Sequence, residues 1–231
     1  RAAAMAAPGT EILVFLTQDA LPEDRDFLAR LTAPISQGRA WASYARQIPH
    51  LGAQPGEIFA RLFNYPVEST VRVPADVERL GLKAFFFSNV ASAISVEAFR
   101  RVGGFPDDVI MNEDMVLCAR ILGVGGAVAY CAEAVVRHSH DYTIGQQFRR
   151  YFDIGAFLAS SPLVRGRSLG QGLRFARGQI AWCWRNGAKA WVPRYVVESA
   201  AKFLGIQLGK RQRWLPLWLK RRFSMHALHW R

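Results

Sequence analysis

The placement of polar residues directly after short apolar runs most constrains the fold of this chain. Glu11–Thr17 is a short apolar run typical of a buried strand, and Asp19 follows its C-terminal end. Glu113–Leu122 carries apolar residues at helical spacing, which predicts a helix with Glu113 and Asp114 in its first turn. Alternating strands and helices, with polar residues at strand ends, favour an α/β sandwich whose ligand groups lie at those ends.

The same patterns predict the other elements of the first 159 residues. Pro22, followed by Glu23 and Asp24, is typical of a helix start. Gly103–Gly104 is expected to end a later helix. Strands are predicted at 40–45, 83–89, 91–95, 127–130 and 134–137, helices at 23–33, 56–64, 96–102 and 143–159, and a loop at 66–82.

Charge and tryptophan content separate residues 160–231 from the rest. Residues 1–159 hold 15 Lys and Arg against 17 Asp and Glu, whereas residues 160–231 hold 15 against Glu198 alone. Six of the seven tryptophans also lie in this second part. Two domains, 1–159 and 160–231, are therefore predicted. In the second, helices are predicted near 168–186 and 194–209, followed by alternating basic and apolar residues over 210–222.

Two interpretations of this basic segment stay open. Tryptophan at headgroup depth, with Lys and Arg near anionic lipid, is typical of a membrane-interface segment. The alternative is a helical cap that packs on the first domain and exposes a solvated basic face. Nucleic acid is not an expected partner, because the sequence contains no recognisable nucleic-acid-binding module.

Composition excludes several classes of protein. A chain of 231 residues with 51% hydrophobic content can form a packed core, so it is not a disordered protein. No membrane-spanning segment is predicted, because no run of 18 uncharged apolar residues occurs. A signal peptide is not predicted either, because the N-terminus lacks its basic-apolar-small order. The three cysteines lack CxxC spacing, which argues against a disulfide framework or a zinc site and favours a reducing compartment.

An acidic pair, Glu113-Asp114, lies between the glycines 103–104 and the histidines His138 and His140. Together with Asp19, such a set can hold a metal-bound diphosphate and supply a base to an acceptor hydroxyl. The pattern therefore indicates part of a sugar transferase. The alternative is that both acids are ordinary first-turn residues of a helix.

Four segments in this order resemble the family 2 glycosyltransferases of the GT-A fold, and most closely the bacterial rhamnosyltransferases of cell-surface polysaccharide synthesis. They cover most of residues 10 to 160, at 12–22, 46–66, 85–122 and 133–157. The resemblance implies a partial GT-A sandwich followed by the basic, Trp-rich helical segment. It also implies that the half of the GT-A domain that binds the nucleotide precedes Arg1, so the chain is expected to be N-terminally truncated.

The resemblance assigns metal binding to Asp19, which stands where the family has its DxD motif or a variant of it. A hard cation such as Mg²⁺ or Mn²⁺ needs carboxylates and phosphate oxygens, so another protein ligand is expected to help. His138 is the preferred helper and His140 the second choice. A structural histidine near a strand end is the alternative.

The resemblance also assigns catalysis to the acidic pair. Asp114 matches the acid of the family's ED motif and is expected to be the base of an inverting transfer. Glu113 would orient the acceptor or tune Asp114, because adjacent acids raise each other's proton affinity.

Further residues are expected to contact donor or acceptor, although turn, core or surface roles are the alternatives for each. Ser88 and Asn89 could hydrogen-bond sugar hydroxyls. Gly103 and Gly104 could let the backbone pass close to the donor sugar or the acceptor, with Phe105 as a wall of the pocket. Residues 147–151 resemble the QxxRW motif of polymerising transferases with Tyr in place of Trp, in which Arg150, or Arg149, would neutralise the leaving diphosphate. The motif residues named for the site are Gln147, Arg149, Arg150 and Tyr151.

The expected reaction is transfer of a sugar, with rhamnose from deoxythymidine-diphosphate rhamnose favoured, to a hydroxyl of a glycan or lipid-linked acceptor. The expected location is the cytoplasm, peripheral on the inner face of the plasma membrane. A protein of another class fits the same basic segment: a non-catalytic module on a degenerate transferase domain that binds a membrane or an anionic polymer.

Overall fold

A computed structural model describes residues 6–161 and 169–231 of the chain. The described residues form two compact units. The first unit comprises the residues up to Ala53 together with Arg61–Pro106 and Asp114–Ser139, and the second comprises Gln54–Ala60, Asp107–Glu113 and the residues from His140 onwards. The division predicted at residue 160 stays a prediction.

The first unit is built on a mixed β-sheet, which confirms the predicted α/β class. The strand order is β1-β5-β3-β6-β2, with β4 also paired to β6. Strands β3 and β6 run parallel, so their carboxyl ends lie at the same edge of the sheet. The strands are β1 (Ile12–Leu16), β2 (Leu21–Pro22), β3 (Ala42–Ile48), β4 (Thr70–Arg72), β5 (Ala91–Ser95) and β6 (Val128–Arg137).

Helices accompany this sheet, and two apolar clusters form the core of the first unit. One cluster includes Leu117 and Ile121 with Tyr44 of β3, and the other includes Leu31 and Val136. The helices that begin before residue 124 are α1 (Phe27–Ser36), α2 (Pro55–Asn64), α3 (Asp76–Leu80), α4 (Val96–Arg101) and α5 (Glu113–Gly123). The helix predictions at 56–64, 96–102 and 113–122 are confirmed.

The helix predicted from residue 23 begins later than expected. Leu21–Pro22 forms a short strand that pairs with Val136 and Arg137 of β6. Glu23 N then donates to Val135 O at 3.0 Å, so the chain stays extended beyond Pro22. Helix α1 therefore starts at Phe27.

Three predictions between residues 66 and 137 differ from the structure: two are wrong, and the third is confirmed as strand but as one element in place of two. The predicted loop at 66–82 contains β4 and α3. The predicted strand at 83–89 is absent: Gly81–Phe85 forms a 3₁₀ turn and residues 86–88 have no regular structure. Phe86 and Phe87 nevertheless pack with their rings 5.9 and 5.4 Å from the Tyr44 ring. The two strands predicted at 127–130 and 134–137 form one strand, β6, with a register shift opposite Ala45 and Arg46.

Over residues 144–160 and 169–231, the described part of the second unit is mostly helical. Its helices are α6 (Ile144–Ser160), α7 (Leu169–Arg185), α8 (Val192–Lys210) and α9 (Leu217–Phe223). These confirm the predicted helices at 143–159 and 194–209. The predicted start of the helix at 168–186 lies outside the described residues. Among the described residues, no helix is both long enough and apolar enough to cross a bilayer.

Glycines allow α6 and α8 to pack closely in the second unit. A Cβ on Gly205 would lie 2.6 Å from Phe148 O and 3.0 Å from Phe152 N. Both atoms belong to the backbone of α6, so only glycine permits this helix spacing.

The tryptophans of the second unit have different environments. Trp230 is buried with its ring 6.0 Å from that of Phe152, whereas Trp214 and Trp218 are 74% and 67% exposed. Part of the basic segment is thus a packed helical layer, and part presents tryptophan to solvent.

Candidate active site

Asp19 and His138 lie together in the first unit, as predicted. Asp19 is in the turn after β1, where Ala20 N donates to Thr17 O at 3.0 Å. The chain then pairs Leu21 with Arg137, the last residue of β6, and so brings this turn beside His138. The distance from His138 Nε2 to Asp19 Oδ2 is 3.5 Å.

The backbone around His138 is held by the elements beside it. His138 N donates to Ile48 O at 2.9 Å, which extends the parallel pairing of β3 and β6 by one residue. Arg61 Nε donates to His138 O at 2.7 Å, and His50 N donates to Ser139 Oγ at 3.1 Å. These three hydrogen bonds hold the backbone of residues 138–139, from which the His138 imidazole projects.

His140, the second predicted choice for a metal ligand, belongs to the second unit. There its backbone N–H donates to Glu57 Oε2 at 3.4 Å, and its ring lies 5.2 Å from the Tyr142 ring.

Asp114 lies in the first turn of α5, as predicted, and backbone N–H groups orient its carboxylate. Met115 N donates to Oδ1 at 2.7 Å, and Asn89 N donates to Oδ2 at 3.2 Å. Asn112, just before the helix, has φ 61°, a left-handed conformation that asparagine tolerates better than most residues. Glu113 lies between Asn112 and Asp114, as the first residue of the helix.

Ser88 and Asn89 connect the surroundings of His138 to those of Asp114. The buried Ser88 Oγ accepts from Gln47 Nε2 at 2.8 Å, and Gln47 Oε1 lies 2.9 Å from His138 Nδ1. The next residue, Asn89, gives its N–H to Asp114. This dipeptide therefore contacts Asp114 directly and His138 through Gln47. The predicted sugar contacts of Ser88 and Asn89 stay predictions.

Tyr65 lies beside this chain of contacts. Burial raises the pKa of its phenol, opposed by Arg61 and by hydrogen bonds involving Ser88 and Gln47, while Asp114 raises it further. The Tyr65 hydroxyl beside Gln47 is therefore protonated and uncharged at physiological pH.

The three residues 103–105 form a turn against an aromatic cluster. Gly103 and Gly104 have φ 75° and 67°, which favour glycine, and a Cβ on Gly104 would lie 3.0 Å from the Phe99 ring. The Phe105 ring packs 5.2 Å from Phe15 and 5.4 Å from Phe99. Phe105 thus joins the core on one side, and its predicted contact with substrate stays a prediction.

The predicted motif at 147–151 lies on α6 of the second unit. Gln147 is buried and lines a polar cavity of about 20 Å³ with Gln179, Tyr195, Glu198 and Lys202. This volume is large enough for about one water molecule. Arg150 is exposed, with its guanidinium 5.8 Å from the Tyr142 ring centre. Arg149, also on α6, is half-buried. The Tyr151 ring lies 5.3 Å from Lys202 Nζ.

Sequence reasoning missed Gln47, Arg61 and Tyr65. Gln47 and Arg61 contact His138, and Tyr65 contacts Ser88. These contacts join segments that are far apart in the sequence. A usable signal exists for Gln47: a polar residue near the end of β3 is expected at the same sheet edge as His138 once β3 and β6 are known to be parallel.

The chemistry of the Asp19–His138 pair fits a divalent cation. A carboxylate oxygen and an imidazole nitrogen are common metal ligands, and the second nitrogen of His138 is held by Gln47, an outer contact usual in metal sites. Imidazole is an unusual ligand for Mg²⁺, which prefers oxygen, so this pair suits a transition-metal ion better.

Two characterised proteins are similar to this chain over nearly its whole length. The O-antigen chain rhamnosyltransferase RfbN of Salmonella typhimurium is 43% identical over 95% of this chain and 71% of its own length. The O-antigen chain rhamnosyltransferase WbaN of Salmonella anatum is 41% identical over 97% of this chain and 72% of its own length.

Among solved structures, a mannosyltransferase from Pyrobaculum calidifontis, in complex with GDP-Man and Mn²⁺, aligns with a TM-score of 0.49 and 18% identity. The alignment covers 99% of this chain and 61% of that chain. No protein-family model matches the sequence. On the identity to RfbN and WbaN, the chain is a glycosyltransferase and belongs to the bacterial O-antigen chain rhamnosyltransferases.

Proposed function

We propose that the full-length protein transfers rhamnose, with inversion, from a nucleotide-diphosphate donor to a hydroxyl of a glycan or lipid-linked acceptor. Deoxythymidine-diphosphate rhamnose is the favoured donor. The names of the similar proteins support the sugar and point to an O-antigen chain as acceptor. The observation that carries the proposal is the orientation of Asp114 by Asn89, in the same unit as the Asp19–His138 pair.

Asp114 is the proposed base. Its carboxylate takes the proton of the acceptor hydroxyl as that oxygen bonds to the anomeric carbon. The bond from this carbon to the diphosphate oxygen breaks, and its electron pair leaves with the diphosphate. Glu113, one residue earlier, is proposed to orient the acceptor.

Asp19 and His138 are proposed to hold a divalent cation, with Mn²⁺ preferred over Mg²⁺. A bound cation would neutralise charge on the diphosphate as it leaves. Exposed Arg150 on α6 is proposed to add positive charge for the same group, with Arg149 as the alternative.

The test of the base measures turnover of a panel of nucleotide sugars by the full-length protein. The Asp114→Asn variant is expected to lower kcat by about 10²–10⁴-fold, the usual contribution of general-base catalysis. Asp108→Asn is the matched control, because Asp108 is an exposed acid six residues away with no assigned role. Undiminished turnover by Asp114→Asn would refute its role, and a folded wild type that turns over no donor would favour the non-catalytic module.

The test of the metal uses chelation and add-back. Removal of divalent cations is expected to abolish turnover, and Mn²⁺ is expected to restore it at lower concentration than Mg²⁺. His138→Ala should weaken Mn²⁺ binding more than His140→Ala does. The reverse order would move the ligand to His140.

We also propose that the basic segment binds the anionic surface of a membrane. Exposed Trp214 and Trp218 lie near Arg213, Arg221 and Arg222, all exposed. Tryptophan suits headgroup depth, and each basic residue near an anionic surface contributes about 1 kcal/mol. Binding to vesicles should fall with added salt and in the Trp214→Ala/Trp218→Ala double variant; binding unaffected by salt or anionic lipid would reject the electrostatic part.

A further inference from the structure

Gln47 occupies the centre of a buried chain of polar contacts in the first unit. Its side chain is on β3 and the residue is only 3% exposed. Its Nε2 donates to Ser88 Oγ at 2.8 Å, and its Oε1 lies 2.9 Å from His138 Nδ1. The proposed reaction gives this buried amide no direct part, so its role requires a separate explanation.

The orientation of the amide determines which nitrogen of His138 carries the proton. An amide oxygen can only accept a hydrogen bond, so Nδ1 facing Gln47 Oε1 must donate. In a neutral imidazole with the proton on Nδ1, the other nitrogen, Nε2, carries the lone pair. The nitrogen that faces Asp19 is Nε2.

The opposite tautomer would change the chemistry of the pair. With the proton on Nε2, His138 would donate a hydrogen bond to Asp19 and could not bind a metal through that nitrogen. With the proton on Nδ1, a lone pair and a carboxylate oxygen lie 3.5 Å apart, which is an arrangement of two metal ligands.

We propose that Gln47 is a positioning residue that keeps the proton of His138 on Nδ1, so that Nε2 and Asp19 together bind the divalent cation. The proposal rests on the proposed metal-assisted transfer. In the structure Ser88 Oγ accepts from the amide nitrogen, while the amide oxygen lies toward His138.

Two substitutions at Gln47 separate hydrogen bonding from packing. Gln47→Met keeps an unbranched side chain of similar length but has no strong acceptor for Nδ1–H. Gln47→Glu keeps an acceptor oxygen. Gln37→Met, at an exposed glutamine after α1, is the matched control.

The first measurement is a titration of Mn²⁺ binding by the full-length protein. The electron paramagnetic resonance signal of the free ion reports how much Mn²⁺ stays unbound. Loss of an outer contact of this kind weakens metal binding by about 10–100-fold, which is the effect expected for Gln47→Met. The Mn²⁺ affinity of Gln47→Glu is expected to stay within about threefold of the wild type, because this variant keeps an acceptor for Nδ1–H. The affinity of Gln37→Met should stay within the same range, because the substitution leaves the whole site unchanged. Thermal unfolding of each variant checks that it is folded.

The second measurement needs no variant at Gln47. Nitrogen-15 NMR of labelled histidine distinguishes the two tautomers, and the His138 signals are identified by their loss in His138→Ala. In the neutral imidazole of the metal-free wild type a proton on Nδ1 is expected, and a proton on Nε2 in its place would overturn the role of Gln47.

These measurements distinguish failure of the inference from failure of the proposed function. If the wild type binds Mn²⁺, His138→Ala does not, and folded Gln47→Met binds as tightly as the wild type, the role of Gln47 is refuted and the metal site stands. If the wild type binds no Mn²⁺, the metal part of the proposed function fails and the inference fails with it.

Discussion

Replacement of Gly205 by alanine is expected to destabilise the second unit. Gly205 lies where α8 is closest to the backbone of α6, the helix that carries Gln147 and Arg150. An added Cβ would lie 2.6 Å from Phe148 O, 3.0 Å from Phe152 N and 3.2 Å from Tyr151 C. All three are backbone atoms, so no side-chain rotation can relieve the overlap.

The magnitude follows from two opposing effects. Ordinary contacts of a Cβ begin at 3.4 Å, so the helices must separate by most of an ångström. Overpacking of this kind costs up to about 3 kcal/mol. Alanine recovers about 1 kcal/mol through its higher helix propensity. The net loss of about 2 kcal/mol corresponds to a Tm lower by about 4–8 °C for a chain of this size.

The assay is thermal unfolding of the full-length protein, with Gly172→Ala as control. Gly172 is also helical, on α7, but no atom lies within 4 Å of its added Cβ. This control should raise Tm by about 2–4 °C, because only the gain in helix propensity applies. Gly205→Ala with a Tm equal to or above that of the wild type would refute the close packing of α6 and α8.

Three further outcomes are expected. Asn112→Gly should keep stability and turnover, whereas Asn112→Val should lose about 1–2 kcal/mol and reduce kcat, because Asn112 has φ 61° beside the proposed base; urea unfolding and kinetics check this. Arg61→Met should weaken Mn²⁺ binding in titrations, because it removes the donor to His138 O. Burial raises the pKa of Asp153, so the folded protein retains a proton that the unfolded chain releases. The free energy of unfolding should therefore fall as the pH rises from about 4 through the raised pKa. Asp153→Asn should abolish that slope in urea unfolding at several pH values, since it retains an acceptor for Met225 N.

Much of the fold could be predicted because its signals are local. Strand β1 is a short apolar run, α5 has helical spacing, and α6 begins with Thr143 and Gln146, which form a capping box. The failures come from contacts between distant segments. Pro22 was predicted to start a helix, but its position is decided by pairing with Val136, far along the chain.

The placement of the candidate site residues on the elements was predictable for the same reason, while their roles stay predictions. Asp19, His138 and Asp114 each lie at the end of an element, where the pattern indicates a functional residue. Gln47 contacts a residue 91 positions later, and Arg61 one 77 positions later. Such contacts depend on the parallel register of β3 and β6, which no local pattern specifies.

The dipeptide Ser88-Asn89 links the proposed metal ligand His138 to the proposed base Asp114, although the two lie on separate elements. The contact to Asp114 uses the backbone N–H of Asn89, so it does not depend on the side chain at this position. The contact toward His138 uses the hydroxyl of Ser88 and passes through Gln47. Because consecutive residues make both contacts, any shift of this turn would move the proposed base and the proposed metal ligand together. A fixed relative position of these two groups is what the proposed transfer requires, because reacting groups must be held in one geometry.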